Sequence, residues 1–414
     1  MQRKFAVLTI LLALAAAAKA EDDLTPTASV SEIDGLKAKI DEIQRAWHIE
    51  GYTQLRYDDQ QYKISGIAAP NSGQDLIGSA GTTSVNTRGA YIKKFEIKTS
   101  GEVLKNLKWV AGYDFVEGKV KDLGTEWSHL PALMGTEWTL KVGQFRQPFG
   151  IEPQTGTPNL AFHERSLING GASPLTPAAS VAVNPQLIGE RVLGIQALKS
   201  RDFGKFGVNA AFAVSNDGSD QVKGGNTLAL GFPAQITDEN PTLTGRLGFS
   251  CDFGGTHNKL GVSYQRNSKD TTFMASAPAA QSIDESLGLD WRHEHGKKAF
   301  AQIEWIGQNA GINGATGLTA RKEGWYAESG VNILGIFVPQ AADKLELLGR
   351  YERVNTNVHA AGYSPTITAA TTGVKWTYGK NSQTSVNYTA YGVDDNFGAA
   401  GNTGLFSLQD IVTF

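Results

Sequence analysis

The chain has 414 residues, long enough to bury a large core without disulfide staples. Glycine is frequent at 47 residues and proline rare at 14, which excludes collagen-like and proline-rich disordered chains. Lys+Arg 38 against Asp+Glu 41 excludes the basic excess of a nucleic-acid binder, and the single cysteine, Cys251, excludes an intramolecular disulfide framework and a cysteine-rich zinc site.

Residues 1–20 start with Arg3 and Lys4 and continue through the apolar run Phe5 to Ala18. They end on the small-x-small triplet Ala18-Lys19-Ala20. This is the pattern of a cleaved secretory signal peptide, and the run is too short to span a bilayer. Removing it takes away three bases, so the mature charge is 35 minus 41, or -6. No later stretch offers eighteen consecutive apolar residues. An exported chain of this kind is either soluble or a membrane β-barrel.

Residues 21–46 are a polar linker followed by Ile33, Leu36, Ile40, Ile43 and, just beyond, Trp47 at alternating spacings of 3 and 4. That spacing predicts a short periplasmic helix, either a two-heptad coiled coil or a single amphipathic helix. Gly35 weakens it.

From Trp47 the period becomes two. Leu107, Trp109, Ala111 and Tyr113 alternate with Lys108, Val110, Gly112 and Asp114. Val386, Tyr388 and Ala390 alternate with Ser385, Asn387 and Thr389. Strand side chains point to opposite faces in turn, so each segment has one apolar and one polar face. Sixteen segments emerge: 47–60, 89–99, 106–117, 119–129, 135–146, 189–199, 205–215, 242–252, 257–267, 284–294, 297–307, 323–333, 343–353, 370–379, 381–392 and 403–414. Each is long enough to cross a bilayer at a tilt. The odd-numbered connections, apart from the third, are longer than their even neighbours, and 147–188 is the longest. Long loops on one side and tight turns on the other characterise an outer-membrane barrel.

A soluble sandwich would have to bury the charges that sit in mid-segment, among them Arg56, Asp114, Arg246, Asp290, Glu304 and Arg350. In a water-filled lumen they cost little, which puts the apolar face toward lipid. Asp410 breaks the apolar face of the last segment, which implies a bulge or a position near the membrane interface. The fold expected is all-β: a 16-stranded antiparallel transmembrane β-barrel over 47–414, in the bacterial outer membrane.

The stretch Lys141-Val142-Gly143-Gln144-Phe145-Arg146-Gln147-Pro148-Phe149-Gly150-Ile151-Glu152 resembles the phosphate-selective porin O and P family. The likeness continues through Leu160-Ala161-Phe162-His163-Glu164-Arg165-Ser166-Leu167 and Gly189-Glu190-Arg191-Val192 to the terminal Leu408–Phe414. The resemblance implies a homotrimeric porin in outer-membrane lipid, with the loop after strand five folded inward to constrict the pore and small anions such as phosphate as permeants. It implies no cofactor, no enzyme activity and no nucleic-acid partner.

An anion path needs convergent bases. By strand parity and loop position the candidates are Arg56, Lys108, Lys141, Arg146, Arg165, Arg191, Arg246, Arg292, Arg350 and Lys375. Lys94 and Lys98 share the inward parity. Acids such as Glu96, Asp114, Asp290, Glu304 and Glu352 also face inward, so a general diffusion pore stands beside the anion-preferring one. The pairs Glu164-Arg165 and Glu190-Arg191 read either as ligands or as salt bridges pinning the loop. His293-Glu294-His295 has no third metal ligand nearby and reads as a solvated turn, and Asn216–Asp220 lacks the spacing of an EF-hand. No Gly-x-Ser-x-Gly motif supports a barrel enzyme, and the long loops alone would also suit an adhesin.

Overall fold

The computed structural model describes residues 47–66, 81–131, 137–170, 187–216, 241–271, 280–312, 318–358, 366–394 and 400–414. The signal peptide and heptad helix expected in 1–46 lie outside the described residues.

Sixteen antiparallel strands close on themselves, each paired with its sequence neighbours and β1 with β16. They are β1 (Trp47–Gly66), β2 (Gly81–Leu104), β3 (Leu107–Asp114), β4 (Lys119–Pro131), β5 (Glu137–Arg146), β6 (Arg191–Asp202), β7 (Phe206–Ser215) and β8 (Thr242–Phe253). The second half comprises β9 (Thr256–Thr271), β10 (Ala280–His295), β11 (Ala299–Ile312), β12 (Leu318–Asn332), β13 (Lys344–Val358), β14 (Thr366–Tyr378), β15 (Ser382–Asp394) and β16 (Ala400–Thr413). Closure leaves no unpaired edge, which a lipid environment requires.

The alternation in the sequence becomes an outer and an inner face. Phe212, Leu247 and Leu289 are about half exposed on the outside, whereas Ser263, Gln302 and Asn387 are buried on the inside. Strand count and order agree with the periodicity. Several strands run further than the pattern indicated, β2 over Gly81–Leu104 rather than 89–99 and β9 to Thr271 rather than 267. Ladder hydrogen bonds continue past the apolar band, where polar side chains no longer mark the strand.

The four-residue β3–β4 turn lies on one rim, and the two- and three-residue connections lie on the other, where β1 begins. Gly254 and Gly255 make the β8–β9 turn with φ of +59 and +82, a conformation that side chains disfavour. The β12–β13 connection on this rim carries a short helix, α1 (Ile333–Phe337).

Asp410 is on the outer face, and no bulge interrupts the register of β16 with either neighbour. Its carboxylate accepts hydrogen bonds from the Tyr378 hydroxyl (3.1 Å) and the Thr384 hydroxyl (2.7 Å), beside the β14–β15 turn. It thus sits at rim depth, where charge on the outer face is least costly.

One register row joins Gly124 on β4, Gly143 on β5 and Gly194 on β6. Gly143 has φ +126, and a Cβ there would stand 2.1 Å from the Leu123 carbonyl oxygen. Gly143→Ala therefore loses about 2 kcal/mol or more of barrel stability, read as a lower urea midpoint of the folded, heat-modifiable form.

Candidate functional site: the inner segment and the lumen wall

After β5 the chain turns into the barrel. Phe149 is fully buried against β10, where a Cβ at Gly288 would lie 2.5 Å from the Phe149 ring. Gly150 has φ +61, and a Cβ there would collide with the Glu304 carboxylate at 1.7 Å. Glycine is required at this position by both backbone and space. The Gly150 amide donates to the Ser263 hydroxyl at 3.1 Å.

Glu152 organises the segment from within. Its carboxylate accepts from the Ser166 amide (2.9 and 3.0 Å), from Asn169 Nδ2 (2.9 Å) and from the Ser166 hydroxyl. Arg165 donates to the carbonyls of Glu152 and Thr155 and to Glu190 at 3.1 Å. Two 3-10 turns, Thr157–Asn159 and Leu167–Asn169, complete the segment, and the second ends on Gly170 in the left-handed region at φ 91.

The segment is pinned to one side of the barrel. Its contacts run along β8 to β16. Gln147 donates to Thr244, the Leu167 amide to Glu352 (2.6 Å), Lys375 to the Leu160 carbonyl (2.8 Å) and Gln383 to the Pro158 carbonyl (3.1 Å). His163 lies between the Ser385 and Ser407 hydroxyls at 2.6 and 3.0 Å. Part of this interface is dry: Phe149, Leu167, Ile168, Leu187 and Ile188 pack on Ile306, Tyr326, Val354, Ile367 and Leu405. The expectation of a wholly wet inner face is corrected here, because the segment supplies an apolar cover for those wall positions.

The ten candidate bases fall into three groups. Arg56, Arg146, Arg165, Arg191, Arg350 and Lys375 hold or border the inner segment. Arg56 pairs with Glu164 and with Asp58 (2.7 Å), and Arg191 joins Glu190 (2.7 Å) to Asp122 (3.2 Å). Arg146 donates to the Thr155 carbonyl and lies 3.6 Å from Glu190. Arg350 pairs with Glu352 at 2.7 Å, donates to the Glu164 carbonyl at 3.0 Å and has Phe162 against its guanidinium at 4.8 Å. Arg246 and Arg292 are engaged on the wall, the first on both oxygens of Asp290 and the second with Gln302 at 2.7 Å and with Glu294. Lys141 pairs with Glu126 at 3.1 Å, and Lys108 is exposed on the lumen parity of β3.

Two bases escaped the parity argument. Lys93 reaches Glu164 at 3.3 Å. Lys121 is buried beside Glu117 (2.7 Å) and Asp114 (3.9 Å). The β3–β4 register shifts between Ala111 and Tyr113, so Lys121 and Asp122 both turn inward. No periodicity reveals such a bulge. Among the described residues, no group of three or more His, Cys, Asp and Glu is placed to hold a metal ion.

The loop carboxylates are tuned by these bases. Burial raises Glu164, but Arg56 and then Lys93 outweigh it and hold the group well below the usual carboxylate range. Burial likewise raises Glu190, and Arg191, Arg165 and Arg146 together depress it. Burial, with Arg56 adding to it, pushes His163 down to about 3.

All three favour a docked segment at neutral pH. A depressed carboxylate stabilises docking above its free value and loses that stabilisation as pH falls through the docked value. A depressed histidine binds fewer protons when docked, so docking weakens as pH falls from about 6.5 toward 3. Proteolysis of the segment should therefore rise in acid and stay low at neutral pH, and His163→Gln should flatten the upper part of that profile. Arg350→Ala leaves buried carboxylates unpaired and should weaken docking by about 3 kcal/mol, read as higher single-channel conductance and faster proteolysis between 147 and 170.

The sequence profile of the family described as phosphate-selective porin O and P matches residues 74–413. Among solved structures, the chain is similar to a loop-deletion mutant of OmpT, an outer membrane protein of Vibrio cholerae, at 12% identity over 89% of this chain and 100% of that one, with a TM-score of 0.49. It is similar to the anion-selective porin from Comamonas acidovorans at 12% identity over 89% and 99%, with a TM-score of 0.49. It is also similar to the outer membrane channel DcaP of Acinetobacter baumannii at 11% identity over 90% and 98%, with a TM-score of 0.47. No curated protein matches the chain. With the family profile running from the first long connection to the end of β16, the chain belongs to the phosphate-selective porin O and P family and is an outer-membrane porin.

Proposed function

We propose that this porin passes small anions, phosphate among them, through the gap between the inner segment and the wall formed by β2 to β6. The observation that carries the reading is the division of the bases. The arginines along β8 to β16 are held by carboxylates, carbonyls and the inner segment, whereas the opposite wall gathers four lysines, of which Lys98, Lys121 and Lys141 pair with Glu50, Glu117 and Glu126 and Lys94 stands apart. Lys94 is only part-exposed, and no carboxylate lies within ion-pair reach of it among the described residues.

Passage is passive, with anions exchanging part of their water for lysine contacts weak enough to release them. The inner segment, over about 147–188, acts as the constriction. Residues 1–20 direct export and are cleaved, and the working unit is a homotrimer, as in the family. Acids on the same wall, including Asp122 and Glu126, favour a weakly selective general pore as the second reading.

The test is the reversal potential of single channels in a potassium chloride gradient. Wild type should prefer chloride. Lys94→Gln with Lys121→Gln should lower the anion-to-cation permeability ratio roughly two- to fivefold, since each lumen charge is worth about 0.5 kcal/mol in a wet environment. A reversal potential of zero in wild type would leave a non-selective pore.

A further inference from the structure

The glycine row in the β4–β6 wall has a consequence for the lumen. Each of its members is imposed by a neighbouring strand: Cβ atoms at Gly124, Gly143 and Gly194 would lie 2.2, 2.1 and 2.1 Å from the carbonyl oxygens of Val142, Leu123 and Val214. The row therefore has no side chains. The next inward row carries Glu126, Lys141 and Gln196, and Val110 faces Gly124 from β3. With Lys98, Asp122, Leu198 and Arg146 on the wall and Gln154 on the inner segment, these residues line an open recess of about 270 Å³.

We propose that this recess is a binding site for a small hydroxylated organic anion, a sugar acid or a sugar phosphate, on its way through the pore. The proposal rests on the anion-preferring reading of the lumen and names a permeant class for it. Volume is the first argument. About 270 Å³ is the room of roughly nine waters, more than an inorganic oxyanion fills.

Hydrogen-bonding balance is the second. Lys98 and Lys141, each with one carboxylate partner and further N–H groups to spare, and Arg146, which also bonds the Thr155 carbonyl, offer donors to an anionic head group. The remaining polar atoms are mostly acceptors. Asp122 and Glu126 are carboxylates, each with one oxygen engaged, by Arg191 and by Lys141, and a second left for a ligand donor. The Nε2 of Gln144 is already donated to the carbonyls of Val120 (2.8 Å) and Lys121 (2.9 Å), so its amide turns an oxygen to a ligand, whereas Gln154 uses one N–H on the Gly150 carbonyl and keeps one N–H and its oxygen. A hydroxylated body supplies the donors these acceptors need, whereas an inorganic anion brings almost only further acceptors. Gly124, with Val110 and Leu198, provides an apolar floor for the C–H face of a sugar chain or ring.

The experiment uses the purified full-length porin in planar bilayers at fixed ionic strength. Gluconate, glucose 6-phosphate, glucose and inorganic phosphate are added separately and current interruptions are recorded. Gluconate or glucose 6-phosphate should interrupt the current at about one-tenth the concentration needed for phosphate or glucose, the margin of one additional charge-assisted hydrogen bond. The stronger of the two identifies the head group as carboxylate or phosphate. Leu198→Trp fills the recess and should abolish the margin over phosphate. Gln196→Ala is the gentler variant, and should narrow the margin even if the tryptophan variant does not assemble. Equal interruption by phosphate and both organic anions, or an L198W or Q196A pore that keeps the full margin, overturns the proposal. A reversal potential of zero with the margin intact would overturn the anion-path reading and keep the recess.

Discussion

The structure depends on one buried guanidinium. Arg350 leaves the wall from β13 and reaches the place where wall and inner segment meet. Its own strand provides Glu352, β12 provides Glu328 at 3.9 Å, and the segment provides Glu152 at 3.8 Å together with the carbonyls of Glu164 and Arg165. A charge removed from water persists only where such partners surround it. The partners are as demanding as the base, because several carboxylates gather around a single cation. The segment is thus held by a balance of charge in addition to apolar contact, and its position follows from where that balance closes.

That attachment gives the lumen two unlike sides. Along β11 to β16 the inner face is covered by the segment and partly dry, with Ile306, Val354 and Ile367 packed as in a soluble core. Along β2 to β6 the wall carries lysines, Lys98 and Lys141 about one-third exposed and Lys121 buried beside Glu117. A closed sheet of nearly uniform construction acquires two unlike inner faces because one connection leans on half of it.

Much of this is legible in the sequence, and the gaps have physical causes. Strand number and order follow from period-two patterning and from glycine turns such as Gly254-Gly255. Parity places Arg56, Arg246 and Arg350 inward, but it is blind to what a side chain meets there. Their partners lie far away in the chain: Glu164 is over a hundred positions from Arg56 and almost two hundred from Arg350. The apolar wall positions Ile306, Val354, Ile367 and Leu405 break the alternation without explanation until the residues around Leu167 and Ile188 are seen covering them. Lys121 is hidden by a bulge, a one-residue departure that leaves no mark on composition.

The contacts of two adjacent residues, His163 and Glu164, bear on how the barrel is assembled. His163 touches β15 and β16, while Glu164 touches Arg56 on β1. Together they straddle the seam at which the last strand meets the first, where Gly51 and Phe414 exchange backbone hydrogen bonds at 2.9 and 3.0 Å. The seam joins positions at opposite ends of the chain, the most expensive loop to close in entropy and so the slowest pairing to find. A segment that already grips both lips brings them within reach of one another. The inner segment thereby acts as a clasp on the seam as well as lining the lumen.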